Sequence, residues 1–306
     1  MERYNFTHVS EFHLMHFSED PNLQPILFGL FLSMYLVTVL GNLLIILAVT
    51  SDAHLHNPMY FFLSNLSLAD IGFTSSTVPK MIVDILRVTS YGGCLTQISF
   101  FVLFGCMDDV LLTVMAYDRF VAICYPLHYS VIMNSRHCVL LLLLLVFVSL
   151  LDSQVHNFIA LQVTCFKDVE IPSFFCDPSE LLDISCSGTL IKNIFTSMVS
   201  ILFGFFPMLG IIFSYYKIAL ALLKIPSSGG RYKAFSTCTS HLSVVCLFYG
   251  TAIGTYIGSS VSYSPRKGMV TSLMCTVVTP MLNPFIYSLR NRDILSTLNR
   301  FQLWSN

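Results

Sequence analysis

Seven apolar segments, each long enough to cross a lipid bilayer, occupy most of the chain and constrain its fold. They lie at about 26–49, 58–83, 95–122, 139–163, 194–223, 234–260 and 268–290. Each supplies the roughly 20 mostly apolar residues that a ~30 Å hydrocarbon core requires. Backbone groups in lipid must pair within the protein, so these segments are predicted to be helices. The sequence therefore predicts an all-α membrane protein, built as a seven-transmembrane-helix bundle.

The composition and loop charges agree with this interpretation. Only 11% of the 306 residues are charged, whereas a soluble domain carries roughly 25%. Spans and short loops use the whole length, so we expect a single domain over residues 1–306. The distribution of Lys and Arg favours an extracellular N-terminus (1–25) and a cytoplasmic tail (291–306).

The tail is predicted to contain a short amphipathic helix. Apolar residues recur there at helical spacing with basic residues between them: Ile294, Leu295, Leu298 and Phe301. This pattern is typical of a helix that lies along the inner membrane surface. The alternative is a frayed tail.

The inner helix ends carry polar residues that are costly in lipid. The third span ends in MAYDRF at residues 115–120, and a charged pair at this place needs a role at the water interface. In a seven-helix chain this indicates a receptor that signals through a G protein.

His241 is either a packed, hydrogen-bonded core residue or a contact of the Arg119 region. Pro284, after Asn283, predicts a kink that is either a hinge or passive.

Two carboxylates, Asp70 and Asp108, lie in the middle of two different spans. An isolated ionised carboxylate there is destabilising by several kcal/mol unless it is paired or neutralised. Two interpretations stay open: a site for a sodium-sized cation, and a protonated, hydrogen-bonded polar core. We expect no other cofactor.

Cysteines and a sequon mark the outer side. Four cysteines fall in the predicted outer loops: Cys94, Cys165, Cys176 and Cys186. An even set in an oxidising compartment predicts two disulfides, for which three pairings exist. Asn5 begins an Asn-Phe-Thr sequon, which would be glycosylated if the N-terminus is extracellular.

Several motifs resemble those of one family. They lie at residues 55–70, 115–124, 214–215, 233–241 and 280–291, where the last reads PMLNPFIYSLRN. With them the chain resembles a vertebrate odorant (olfactory) receptor of the tetrapod-type class, within the rhodopsin-like G-protein-coupled receptors. The string KAFSTCTSH at 233–241 separates odorant receptors from other seven-helix receptors.

The resemblance implies a receptor in the plasma membrane that couples to the stimulatory olfactory G protein and raises cyclic AMP. It implies the disulfides Cys94–Cys176 and Cys165–Cys186, and it places Asp70 and Asp108 at the family's ion site. It also implies a set of residues for G-protein coupling and switching, in which Asp118 and Arg119 form an inner lock: Asp118, Arg119, Tyr215, His241, Asn283, Pro284 and Tyr287.

A ligand pocket is expected in the outer half of the bundle. Helical periodicity groups residues on one face of the third, fifth and sixth spans, and the resemblance matches these stretches to the odorant pocket: Phe101, Val102, Gly105, Cys106, Val199, Ser200, Phe203, Tyr249, Ala252, Ile253 and Tyr256. For any such stripe the alternative is plain helix packing. The lining favours a small, mostly apolar volatile molecule.

Other functions are less well supported. The chain lacks the HExxH, GxSxG and GK[ST] motifs, so a membrane enzyme is not expected. A transporter would use Asp70, Asp108, Asp109 and Asp152 as a proton relay, but no inverted repeat supports it. The runner-up is a receptor of the same fold for a non-odorant metabolite. We expect no nucleic-acid partner, and lipid as the surrounding partner.

Overall fold

The structure is a computed structural model of the 306-residue chain. It describes residues 11–15, 20, 22–83, 88–163, 165–186, 194, 197–224, 228–261 and 265–304. Asn5 lies outside these residues, and its predicted glycosylation stays a prediction.

The described chain is mainly helical, and its long helices match the seven predicted spans. They are α1 (Gln24–Ser51), α2 (Pro58–Val83), α3 (Tyr91–Cys124), α5 (Ser135–Leu161), α7 (Ser197–Leu223), α8 (Ser228–Val261) and the pair α9 (Pro265–Leu273) and α10 (Thr279–Arg290). The shorter helices are α4 (Tyr129–Ile132), α6 (Pro178–Asp183) and α11 (Arg292–Trp304). Single π-helical turns lie within α7 at Ile201–Phe205 and between α9 and α10 at Met274–Val278.

Several helices begin earlier than the apolar segments of the sequence predict. Helix α3 begins at Tyr91, because the Ser90 side chain accepts a hydrogen bond from the Gly93 backbone N–H. Helix α5 begins at Ser135, because the Asn134 side chain caps it through the His137 N–H. These caps extend each helix by about one turn through polar residues. The prediction followed hydropathy and therefore missed these first turns.

Five of the described helices are long and apolar enough to cross a membrane: Gln24–Ser51, Tyr91–Cys124, Ser135–Leu161, Ser197–Leu223 and Gly268–Ser288. Helices α2 and α8 are of similar length but carry more polar residues. In α2 the polar residues Ser67, Asp70 and Thr74 are buried inside the bundle. A helix that turns polar groups towards other protein needs less hydrophobicity to lie in lipid.

Close helix packing depends on a small residue opposite a proline. A Cβ atom added to Gly41 of α1 would lie 3.1 Å from the Pro284 Cβ of α10. Pro284 lies inside its helix, as predicted for the seventh span. The absence of a side chain at Gly41 lets α1 approach this proline closely.

One end of the bundle, here called the capped end, is covered by a small sheet. Strand β1 (Glu11–Leu14) pairs antiparallel with β2 (Val88–Ser90) and parallel with β3 (Glu170–Ile171), in the order β2-β1-β3. Phe12 of β1 is fully buried, with its ring 4.9 Å from that of Phe166. The sheet therefore fixes part of the N-terminal segment and the long loop over the helices.

Two disulfides hold the same end. The bonds are Cys94–Cys176, which ties the start of α3 to the long loop, and Cys165–Cys186, which closes that loop on itself. This is the pairing that the resemblance implies.

Helix α11 packs against the opposite end, here called the Arg119 end. Ile294 is fully buried, and the Thr297 hydroxyl donates to the Asp52 carboxylate over 2.8 Å. The Arg300 guanidinium lies 3.4 Å from the same carboxylate. The hydrogen bonds from the His54 backbone and from Thr297 lower the pKa of Asp52, with a smaller contribution from Arg300. The predicted tail helix is therefore present, and it contacts the bundle through more than its apolar face.

Candidate ligand and coupling site

The predicted ligand residues of α3 divide between two neighbours. The Phe101 ring stacks on Phe73 of α2 at 5.0 Å and meets Phe175 of the long loop at 4.8 Å. A Cβ atom on Gly105 would lie 3.2 Å from the Phe73 ring. Val102 is buried in the apolar cluster below the sheet, against which Phe101 also packs, and Cys106 lies beside Ser149 of α5.

This division corrects the idea of one shared face on α3. Four residues spaced i, i+1, i+4 and i+5 span a broad arc of a helix, wide enough to touch both α2 and α5. Phe101 and Gly105 are directed to the α2 side, and Val102 and Cys106 to the α5 side.

On α7, Val199 is buried, and Ser200 and Phe203 are half-buried, while the adjacent Ile201 and Leu202 are exposed. The π-helical turn at Ile201–Phe205 alters the 3.6 period at this point. The predicted residues nevertheless stay on the side of α7 that faces protein.

On α8, Tyr249 and Ala252 are half-buried, but Ile253 is 46% exposed. Ile253 follows Tyr249 by four residues, which rotates it about 40° past the inward direction. Among the predicted ligand residues whose side chains are described, Ile253 is turned outward. Tyr256 lies in α8, but its side chain is outside the described part of the chain.

A polar contact crosses the bundle between α3 and α8. The Tyr249 hydroxyl donates a hydrogen bond to Oδ1 of Asp109, a buried carboxylate. One turn further along α3, the Thr113 hydroxyl donates to the Pro207 carbonyl of α7 over 3.1 Å. Asp109 and Thr113 therefore connect α3 to both α8 and α7.

The two mid-membrane carboxylates lie near each other in a fully buried polar cluster. Asn283 Nδ2 donates to both oxygens of Asp70, at 3.0 and 3.1 Å. Asp108 interacts electrostatically with Asp70, and its Oδ1 has no hydrogen-bond partner among the described residues. In that part of the chain no three His, Cys, Asp or Glu residues come together as metal ligands.

At the Arg119 end, Asp118 and Arg119 have different partners. The Tyr129 hydroxyl of α4 donates to the Asp118 carboxylate over 2.8 Å. The Arg119 guanidinium donates through Nη2 to the Met59 sulfur of α2, and its Nε is buried without a partner in the described structure. None of the ion pairs among the described residues involves Arg119.

His241 of α8 is fully buried and hydrogen-bonded at both ring nitrogens. Its Nε2 lies 3.0 Å from the Leu112 carbonyl of α3, and its Nδ1 lies 2.7 Å from the Tyr215 hydroxyl of α7. A carbonyl only accepts, so Nε2 carries the proton, and Nδ1 of the neutral ring accepts from Tyr215. His241 is thus a packed core residue, and it joins three helices.

Tyr287 of α10, the remaining predicted partner of Arg119, is buried, and its hydroxyl has no hydrogen-bond partner among the described residues. It lines a cavity of about 350 Å³ together with Arg119, Met59 and Met115. The hydroxyl of Tyr60, which also lines this cavity, lies 3.0 Å from both Asn291 Oδ1 and Asp293 Oδ2 and shares its single hydrogen between them.

A second cavity, a groove of about 380 Å³, lies between α2 and α3 near the capped end and includes Lys80, Gln97 and Phe104. Neither cavity is lined by the predicted ligand residues. Tyr129, Met59 and Asp109 were not predicted as partners at all. A tyrosine in a short loop helix or a methionine near a helix start carries no pattern that marks such a contact.

The fold is that of a seven-helix G-protein-coupled receptor. The crystal structure of squid rhodopsin superposes with a TM-score of 0.73 at 18% identity, covering 94% of this chain and 88% of that one. At this identity the likeness concerns the fold.

Sequence comparisons define the family. The olfactory receptor family model matches residues 31–303. Olfactory receptor 7E24 of Homo sapiens is 69% identical over 98% of this chain and 89% of its own length. Olfactory receptor 7E178 of Mus musculus is 67% identical over 96% and 90%, respectively. The chain belongs to the olfactory receptor family, and it is a membrane-spanning receptor, not an enzyme.

Proposed function

We propose that this receptor binds small, mostly apolar volatile molecules near the capped end and activates a stimulatory, olfactory-type G protein at the Arg119 end, which raises cyclic AMP. The observation that carries the proposal is the pair of contacts from α3 to α8: Tyr249 with Asp109, and His241 with Leu112. They lie on one path from the predicted pocket to the predicted coupling residues.

The orientation that fits this function has the capped end outside the cell and the tail in the cytoplasm. Two disulfides near one end suit an oxidising compartment. In the plasma membrane the sheet would then lie on the extracellular side, and Asn5, on the same side, would be glycosylated.

The character of the pocket supports an apolar ligand. Phe101, Val102 and Phe203 offer aromatic and aliphatic surface, and Tyr249 and Ser200 offer hydroxyl groups. Burial of roughly 200 Å² of ligand surface at about 25 cal/mol/Å² contributes about 5 kcal/mol before entropic losses. We therefore expect weak recognition, roughly micromolar to millimolar, with selectivity from one or two hydrogen bonds.

The proposed mechanism is a shift between two arrangements of α8. A ligand that contacts Tyr249 competes with Asp109 for its hydroxyl group and weakens the link between α3 and α8. A ligand moves such an equilibrium only by its difference in affinity for the two arrangements. In the favoured arrangement the Arg119 end of α8 moves outward, the His241 contacts rearrange, and Arg119 becomes available to a G-protein helix.

Leu127, in the short turn Pro126–His128 after α3, supports a protein partner at this end. Its side chain is 91% exposed. A large apolar side chain exposed beside the coupling residues is suited to a pocket on the partner.

A sodium ion bound by Asp70 and Asp108 would stabilise the resting arrangement. Carboxylate and amide oxygens suit such a hard cation, and Oδ1 of Asp108 and Oδ1 of Asn283 are buried without a partner in the described residues. The alternative, a shared proton, would make the thermal stability of the receptor insensitive to replacement of sodium by choline.

The function is tested with a cyclic AMP reporter in cells that express the full chain with trafficking factors and receive a panel of volatile compounds. At least one compound should raise cyclic AMP, and Arg119→Ala should abolish that response. Arg300→Ala, which removes a cation from the same end, is the control. Equal responses from parent and Arg119→Ala at matched surface expression would contradict the assigned role of Arg119.

A further inference from the structure

The cavity at the Arg119 end contains two buried hydrogen-bond donors that have no partner among the described residues. Tyr287 is 5% exposed, and its hydroxyl has no partner among the described residues. The Arg119 Nε atom is also buried, and it has no hydrogen-bond partner in the described part of the chain. Both residues line the same cavity of about 350 Å³.

The charge of Arg119 is also poorly compensated. Its Nη2 donates to a methionine sulfur, which is a weak acceptor. Its sequence neighbour Asp118 is held by Tyr129. Asp118 interacts with Arg119 electrostatically but forms no ion pair with it among the described residues. A partly buried cation without such a pair is destabilising, and an anion of suitable size would relieve it.

The rest of the lining defines which anion fits. Met59, Leu63 and Met115 supply apolar surface, and Ser240 supplies a further hydroxyl. The acidic residue of the lining, Asp293, accepts a hydrogen bond from Tyr60 and repels a second negative charge. A compact single anion with a short apolar chain matches these features better than a multiply charged phosphate.

We propose that this cavity binds a small organic monoanion, with its oxyanion head on Arg119 and Tyr287 and its apolar chain on Met59 and Met115. The inference rests on the proposed function in one respect, because the bound anion would occupy the guanidinium that a G-protein helix needs. It would therefore act as an inhibitor from the cytoplasmic side, by binding the resting arrangement.

Binding of radiolabelled octanoate to the purified full chain in phosphatidylcholine nanodiscs tests the proposal. Saturable binding should weaken about 10- to 100-fold in both Arg119→Met and Tyr287→Phe, the range expected for hydrogen bonds to a charged group. It should strengthen in Asp293→Asn. Arg300→Met and Tyr117→Phe remove a matched charge and a matched hydroxyl outside the cavity and should leave binding unchanged.

Two further measurements extend this test. The first distinguishes the possible sources of the anion, and the second distinguishes the anion site from the proposed G-protein coupling. Phosphatidylglycerol in the nanodisc should displace octanoate if a lipid headgroup is the natural occupant, and should leave it bound if a soluble carboxylate is. A synthetic peptide that reproduces the last helix of the G-protein α polypeptide should compete with octanoate. If the peptide does not compete but octanoate binding still depends on the variants as expected, the result contradicts G-protein coupling and supports the anion site.

Absence of saturable binding, or equal binding in Tyr287→Phe, Asp293→Asn and the parent chain, would overturn the site. If Arg119→Met does not fold, as judged by its melting profile, the Tyr287→Phe and Asp293→Asn variants decide the outcome.

Discussion

Asp118 shows how a short loop helix determines the role of a charged residue in the bundle. Its carboxylate is 2% exposed and accepts the Tyr129 hydroxyl, although Arg119 is its neighbour in sequence. Successive residues on a helix point about 100° apart. Asp118 therefore faces α4, while Arg119 points across the bundle to Met59.

Replacement of Tyr129 by Phe should destabilise the resting receptor. The change leaves a buried carboxylate without its donor, which is destabilising by about 1–3 kcal/mol. The measurement is the free energy of unfolding of the purified chain in mixed detergent. Tyr125→Phe is the control, because Tyr125 is half-exposed and also lies beside the end of α3. Equal losses in the two variants would contradict the importance of the Asp118 contact.

Sequence patterns gave candidate residues but did not predict most of the partners that these residues contact in the structure. The polar end of the sixth span predicted that His241 faces protein, and the structure confirms a packed, hydrogen-bonded histidine. The Tyr249 contact with Asp109 depends on the rotation and height of α3 and α8 relative to each other. A local sequence pattern does not report how two helices are rotated or shifted relative to each other. For the same reason, the pattern did not predict that Ile253 faces outward.

At the scale of elements, the contact between α1 and α10 limits residue size at Gly41. We expect Gly41→Val to lower the thermal midpoint of the purified receptor, since overpacking against the Pro284 ring costs about 1–3 kcal/mol. Gly29→Val, in the same helix, is the control, because no atom lies within 4 Å of its added Cβ. Similar midpoints for the two variants would show that α1 can move away from Pro284 at little cost.

The capped end should lose stability as the pH rises. Burial, with Asp177 and Asp183 nearby, raises the pKa of Glu180 in α6 to about 7. Between the ordinary pKa near 4.5 and this value, the folded chain binds more protons than the unfolded chain, so stability falls with increasing pH. Hydrogen exchange at the backbone amides of α6, corrected for intrinsic rates, should show less protection at pH 8 than at pH 5.

Glu180→Gln should reduce this pH dependence. Some dependence should remain, because burial and Asp177 also raise the pKa of Asp183. An unchanged pH profile in the variant would show that Glu180 is not the group responsible.

The existence of the long helices was predictable, but the covering sheet was not. The thickness of the bilayer requires a long run of apolar residues in each membrane-spanning helix, and such runs are visible directly in a sequence. Strand β1 has four residues, and its partners lie 75–79 and 157 positions away along the chain. The two-residue period of a strand gives no information about partners at such distances. The helix ends were misplaced for a related reason, since side-chain caps rather than hydropathy fix them.

At the scale of the whole molecule, the structure connects a region of aromatic and aliphatic residues under the sheet with the cavity that Arg119 lines at the other end. Tyr249, His241 and Tyr215 connect α8 to α3 and α7 between these regions. A change in the position of α8 therefore requires these hydrogen bonds to break or exchange partners, which is the property that a receptor with two arrangements needs.

The most direct test measures the distance between spin labels at positions 125 and 232, at the ends of α3 and α8, by pulsed electron resonance. Labels are introduced as non-canonical amino acids, because the chain has 10 cysteines. With an activating odorant and G protein, the account predicts a new, longer distance population, and a smaller shift in Tyr249→Phe. An unchanged distance distribution under conditions where odorant binding is demonstrated would contradict the movement of α8.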